Sequence, residues 1–127
     1  MNFKKLKKGK LKNFSYNNVL NFGCFGLKSM ESGIISFNQL ESARKILTKK
    51  TNRKIKVWKK ISKNTVITKK STGSRMGKGV GKFVCLKFKI KKDSIIFEIM
   101  GVNKKKLVNA LKLCRYKLPV KTKIVYN

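Results

Sequence analysis

The chain has 127 residues, 34 of them lysine or arginine against 4 acidic ones, for a formal net charge of +30. Self-repulsion on that scale destabilises a free compact protein, so the composition calls for a polyanionic partner. Hydrophobic residues nevertheless make up 41% of the chain, which excludes a disordered basic tail and leaves a folded domain dressed in positive charge.

Residues 1–20 carry lysines, asparagines and isolated apolar residues without a period. They read as an extended basic arm, ordered on its partner, ahead of one domain over 21–127. Gly9 and the asparagine cluster oppose an amphipathic helix there, and "MNFKKLKKGKLKNF" lacks the apolar centre of a secretory signal. In "NFGCFGLK", Phe22 and Phe25 flank glycines and are expected in the core. Ser36 is a helix cap, and Gln39 completes a capping box. Leu40, Ala43 and Leu47 then share a face with Ile46 beside them, while Lys45, Lys49 and Lys50 crowd the C-terminal end, where the helix dipole favours cations.

"KIKVWKKI" reads as a strand with Ile55 and Val57 inward, and Thr65-Val66-Ile67 as a shorter one. Residues 69–82 hold four glycines and no period, so they form a loop. "FVCLKFKI" places Val84, Leu86, Phe88 and Ile90 on one face, with Lys87 and Lys89 opposite. Lys91 to Ser94 is then a turn into a partner strand, Ile95 to Met100. A second helix follows Gly101-Val102 with Asn103 as cap and Leu107, Ala110, Leu111 and Cys114 as its apolar stripe. Pro119 bars its continuation, and "KTKIVY" closes the chain as a strand. The expected fold is α+β, two helices packed on a mostly antiparallel, partly closed sheet, with a basic N-terminal arm and a long glycine-rich loop.

The chemistry lies in the cations. Apart from Arg44, Arg53, Arg75 and Arg115 they are lysines. Lysine is a point charge for phosphate, whereas arginine forks onto bases and carboxylates, so this surface favours backbone binding over base reading. The loop "SRMGKGVGK" fails as a P-loop, because Gly81-Lys82 runs into Phe83 and Met76 stands where the first glycine belongs. It fails as a dinucleotide fingerprint by its glycine spacing and by the strand that follows. What remains is a loop whose glycines permit close backbone approach, flanked by Lys69, Lys70, Arg75, Lys78 and Lys82, or else a flexible hairpin tip.

The chain has no histidine, and Cys24, Cys85 and Cys114 are far apart. A zinc site, a disulfide framework and nucleophilic catalysis are therefore unsupported, and buried free thiols are expected. Glu31, Glu41, Asp93 and Glu98 are expected to cap, pair or relieve lysine repulsion. No enzyme, cofactor, metal or small-molecule substrate is expected. No apolar run approaches the ~20 residues that span a bilayer, so no membrane partner is expected either. Phe83, Phe88 and Phe97 lie in strand patterns and read as core, and no signature of a single-strand RNA module occurs. Folded RNA, met through shape and backbone, fits best, and charge alone leaves a DNA-compacting nucleoid protein open.

Five ordered blocks resemble a known family. "FGCFGLKS", "ISFNQLESARK", "VITKKSTGSRMGKGVGKF", "IIFEIMGV" and "KLPVKTKIV" are similar to segments of bacterial-type large-subunit ribosomal protein sixteen, a family shared by bacterial and organelle ribosomes. The arm "FKKLKKGK" resembles that family's basic start. Departures are Val80 at the family's final loop lysine, Lys70-Ser71 where a proline precedes the loop, Lys7 at an arm histidine, and Phe83-Val84 for a Tyr-Trp pair.

The resemblance implies a structural constituent of the large subunit. It would bind large-subunit ribosomal RNA beside the central protuberance, among neighbouring ribosomal proteins. It would support late assembly and the positioning of aminoacyl-site tRNA. The implied RNA-binding residues are Lys4, Lys5, Lys7, Lys8, Lys10, Lys12, Lys28, Arg44, Lys69, Lys70, Arg75, Lys78 and Lys82. The implied tRNA-proximal loop is Arg75, Met76, Gly77, Lys78, Gly79 and Gly81. Frequent asparagine, isoleucine and phenylalanine with scarce alanine and proline suggest an AT-rich coding sequence. Together with the departures, that points to a mitochondrial ribosome ahead of a plastid or a bacterial cytoplasm.

Overall fold

The structure, a computed structural model, describes residues 4–5, 19–61, 64–77 and 79–127. In chain order its elements are β1 (Lys4–Lys5), β2 (Phe25–Ser29), β3 (Gly33–Ser36), α1 (Phe37–Lys50), β4 (Lys56–Lys59), β5 (Asn64–Lys69), β6 (Lys82–Ile90), β7 (Ile95–Met100), α2 (Lys104–Arg115) and β8 (Thr122–Tyr126).

Both helices start where side-chain chemistry starts them. The Ser36 hydroxyl accepts from the Gln39 N–H at 3.2 Å, and the Gln39 side chain accepts from the Ser36 N–H at 2.9 Å, closing the capping box. Asn103 caps α2 by accepting from the Lys106 N–H at 3.2 Å. The predicted stripes are the buried ones: Leu40, Ala43 and Leu47 on α1, and Leu107, Ala110, Leu111 and Cys114 on α2. The two helices pack on each other; α1 also touches β3, β6 and β4, and α2 touches β2 and β8.

The fold is α+β, as expected, but its strands form two open four-stranded sheets instead of one partly closed sheet. One runs β1-β5-β6-β3 and the other β4-β7-β2-β8. Every pairing is antiparallel except β1 with β5. One hydrophobic cluster joins them, with Ile35, Phe88 and Ile90 from the first sheet, Leu27, Phe97 and Ile99 from the second, and the two helix stripes.

The expected hairpin between β6 and β7 does not form. β7 pairs with β2 and β4, and the 91–94 connector crosses between the sheets. Asp93 adopts φ 65° and donates its N–H to the Ser29 carbonyl at 2.9 Å, while Ser94 accepts from the Ser29 N–H at 2.9 Å. The connector is thus stitched to the end of β2, which redirects the chain.

Other expectations need correction. Phe83 and Val84 were expected in the core and are 62% and 52% exposed, because they stand at the loop end of β6, whose buried residues are Phe88 and Ile90 at its other end. Phe22 is also outside the core at 59% exposure, whereas Phe25 packs against it with Ile55 and Val57. Of the three free thiols only Cys114 is buried; Cys24 is exposed and Cys85 half-buried. The basic arm lies outside the described residues except for Lys4–Lys5 in β1 and for Val19 and Leu20, of which Leu20 is buried against Gly26.

Candidate nucleic-acid interface

The glycine-rich loop is the link between β5 and β6, and it spans residues 70–81, since Lys69 and Lys82 are the last cross-strand pair of the hairpin. Like charges directly opposite each other oppose pairing. The hairpin stem therefore presents two ammonium groups at the mouth of the loop, both on exposed residues.

Within the loop the Ser74 N–H donates to the Ser71 carbonyl at 3.2 Å, with Gly73 at φ 78° between them, as a type II turn requires. The Lys70 ammonium donates to the Gly77 carbonyl, so Lys70 ties the loop together. Arg75 and Met76 stand in solvent, Met76 almost completely so at 99% exposure.

The three glycines of the motif divide into two kinds. Gly77 and Gly79 adopt φ 95° and 79°, and nothing lies within 4 Å of where a side chain would begin. Their backbones are open to a partner. Gly81 differs, since a Cβ there would sit 2.4–2.6 Å from the backbone of Lys69 and Lys70. Its missing side chain serves the hairpin itself, a structural role beside the backbone approach expected of all three glycines.

The remaining predicted residues fall in separate places. Lys4 and Lys5 form β1, parallel to β5 opposite Thr65 and Val66, so the start of the arm joins the sheet that carries the loop. Lys28 is on β2 and pairs with Asp93 at 3.0 Å. Arg44 is on α1 and grips Glu41, with Nε at 3.0 and 3.1 Å from the carboxylate oxygens and Nη2 at 2.6 Å. That hydrogen bond holds the Glu41 carboxyl below its usual range and raises the guanidinium above its own. Lys7, Lys8, Lys10, Lys12 and Lys78 lie outside the described residues.

One cationic surface was missed. Arg44, Lys45, Thr48, Lys49, Asn52 and Arg53 line an open depression along α1 and its C-terminal turn. The spacing of Arg44, Lys45, Thr48 and Lys49 was visible in the sequence as one side of the helix, whereas Asn52 and Arg53 join them through the positive-φ turn after α1.

All four carboxylates are engaged by the protein itself. Besides Glu41 and Asp93, Glu31 accepts from the Lys121 N–H at 2.8 Å. Glu98, fully buried on β7, accepts from three consecutive N–H groups, Asn21 at 3.2, Phe22 at 2.8 and Gly23 at 3.1 Å. Lys60 lies 3.3 Å from its other oxygen. Burial alone would raise the Glu98 carboxyl, but the three backbone donors and Lys60 outweigh it and hold the group below the usual carboxylate range. Burial pushes the Cys114 thiol up to about 12. Among the described residues no group of His, Cys, Asp and Glu is placed to hold a metal ion, and no helix is long and apolar enough to cross a membrane.

A family described as ribosomal protein L16p/L10e matches residues 2–125. The chain belongs to that family. It is 38% identical over 120 residues to the large ribosomal subunit protein uL16 of Buchnera aphidicola subsp. Cinara cedri, covering 94% of this chain and 88% of the relative. It is 41% identical over 125 residues to the large ribosomal subunit protein uL16c of Euglena longa, covering 98% and 93%. The large ribosomal subunit protein uL16 of Porphyromonas gingivalis is 42% identical over 124 residues, covering 97% and 86%. As a member of a ribosomal protein family the chain is a structural component and not an enzyme.

Proposed function

We propose that the protein is a constituent of the large ribosomal subunit and binds its ribosomal RNA through the β5–β6 hairpin, with the arm alongside. The observation that carries this reading is the Lys69–Lys82 pair at the mouth of a loop whose Gly77 and Gly79 backbones are open to solvent. Two like charges in register gain from an anion set between them, and exposed backbone N–H groups bind phosphate oxygens. Because each carboxylate is already bonded within the protein, no acidic group offsets that field at the loop.

The family resemblance supports a finer reading. The hairpin tip with Arg75, Met76, Gly77, Lys78 and Gly79 faces the aminoacyl-site tRNA, next to the peptidyl-transferase region and below the central protuberance. The protein then acts in late subunit assembly and in tRNA positioning. Lys4, Lys5, Lys7, Lys8, Lys10, Lys12, Lys28, Arg44, Lys69, Lys70 and Lys82 provide phosphate contacts. The AT-biased composition supports an organelle ribosome, the mitochondrial one first.

The deciding experiment is co-sedimentation of the tagged protein through a sucrose gradient. It should travel with large subunits and their precursors. Paired salt titrations should give tighter binding to large-subunit RNA than to duplex DNA of equal length. Equal affinity for both, with no large-subunit peak, would replace this reading by that of a nucleoid-type protein.

A further inference from the structure

On the sheet that does not carry the glycine-rich loop, β4 bears an aromatic surface that the ribosomal reading leaves unused. Phe22 stacks on Trp58, with ring centroids 6.0 Å apart and planes at 27°. The Lys60 ammonium lies 5.0 Å from the Phe22 ring centroid, and the same ammonium pairs with Glu98. Phe22 is nevertheless 59% exposed, well outside the core.

The arrangement is fixed from beneath. Glu98 gathers the N–H groups of Asn21, Phe22 and Gly23, and this pins the segment flat on the sheet. Gly23 makes the approach possible, because a Cβ there would sit 2.8 Å from the backbone N and O of Ile99. A buried carboxylate with three backbone donors is a strong anchor. It holds out an aromatic ring that the core does not use.

We propose that Phe22 and Trp58 form a stacking platform for an unpaired base of single-stranded RNA. The inference rests on the RNA-binding reading and adds a base contact to a surface otherwise suited to phosphates. Charge selects this occupant over an apolar peptide. Lys54 and Lys56, just before and on β4, are exposed, and the carboxylate beside Trp58 in the sheet, Glu98, is buried and already paired. Aromatic faces flanked by lysines are what a nucleotide, apolar in its base and anionic in its phosphate, requires.

Trp58 is the only tryptophan in the chain, so its fluorescence reports on this site alone. The full-length protein is titrated, at a salt concentration that keeps it soluble, with oligoadenylate and with an abasic oligomer of equal length and charge. Oligoadenylate should quench Trp58 and bind roughly tenfold more tightly than the abasic oligomer. Phe22→Leu should remove that difference, and Phe22→Tyr should keep it. Equal affinity without quenching in the wild-type protein would overturn the platform while leaving RNA binding intact. Failure of both oligomers to bind would instead remove the RNA reading beneath it. The wild-type comparison decides the matter even if Phe22→Leu does not fold.

Discussion

Lys69 and Lys82 face each other as the last cross-strand pair before the glycine-rich loop, and the hairpin carries this like-charge pair with no carboxylate to relieve it. The pairing opposes hairpin closure in the free protein and favours it once phosphate lies between the two. Lys82→Glu should therefore stabilise the RNA-free hairpin by about 0.5 kcal/mol, the size of an opposite-charge cross-strand pair. The same change should weaken RNA binding and lower the slope of log affinity against log salt by about two contacts, one lost and one turned repulsive. Urea unfolding and filter binding across a salt series measure the two effects.

The loop glycines should separate by assay. Gly81→Ala should destabilise the free protein, because its Cβ would meet the Lys69 and Lys70 backbone at 2.4–2.6 Å. Gly79→Val meets no neighbour but strains the loop backbone at φ 79°, so it should distort the loop while lowering the denaturation midpoint less than Gly81→Ala, and it should impair subunit maturation through blocked backbone approach. Arg75→Lys keeps the charge and removes the fork, so tRNA accommodation should fall while bulk RNA affinity holds. Urea midpoints separate the two glycine variants, and RNA affinity, subunit profiles and translation rates of ribosomes carrying each variant check the rest.

Glu98 makes the fold sensitive to acid. Its folded-state pKa is below the unfolded one, so its contribution is fully present above the unfolded value of about 4.3 and is lost as pH falls through the folded value. Glu98→Gln should lower stability by about 2–4 kcal/mol near neutral pH, because it leaves Lys60 unpaired and weakens three backbone bonds. It should also flatten the acid limb of stability against pH. Urea midpoints of both proteins across that limb supply the test.

The cysteines report on core opening. Cys24 is exposed and should react with a thiol reagent in the native state, whereas Cys114, fully buried and with its thiol pushed up to about 12, should react only on unfolding. Leu111→Ala, in the same α2 stripe and 0% exposed, should cost about 2–5 kcal/mol and speed Cys114 labelling in proportion. Mass spectrometry of labelled peptides against time follows both sites.

Much of the fold was legible because its signals are local. The Ser36–Gln39 box, the Asn103 cap and both helix stripes are read within a few residues, and they appear in the structure as read. The family was legible for a related reason, since its blocks keep their order and spacing along the chain. The short strands β2 and β3 were not read, as Gly26 interrupts the pattern of the first and the second is only four residues long.

Sequence by itself determined the charge, the two helices, the glycine loop and the kinship to ribosomal proteins. Tertiary structure alone decided which strands meet. Residues 83–100 read as a hairpin because two apolar runs flank four turn residues, yet Ser29 exchanges two backbone hydrogen bonds with the connector, and β7 joins the other sheet. It also decided that Gly81 serves the hairpin while Gly77 and Gly79 face outward. Periodicity states how a residue faces within its own element, but pairing and burial depend on partners 60 or more residues away, such as Ser29 for Ser94 or Asn21 for Glu98, 77 residues apart.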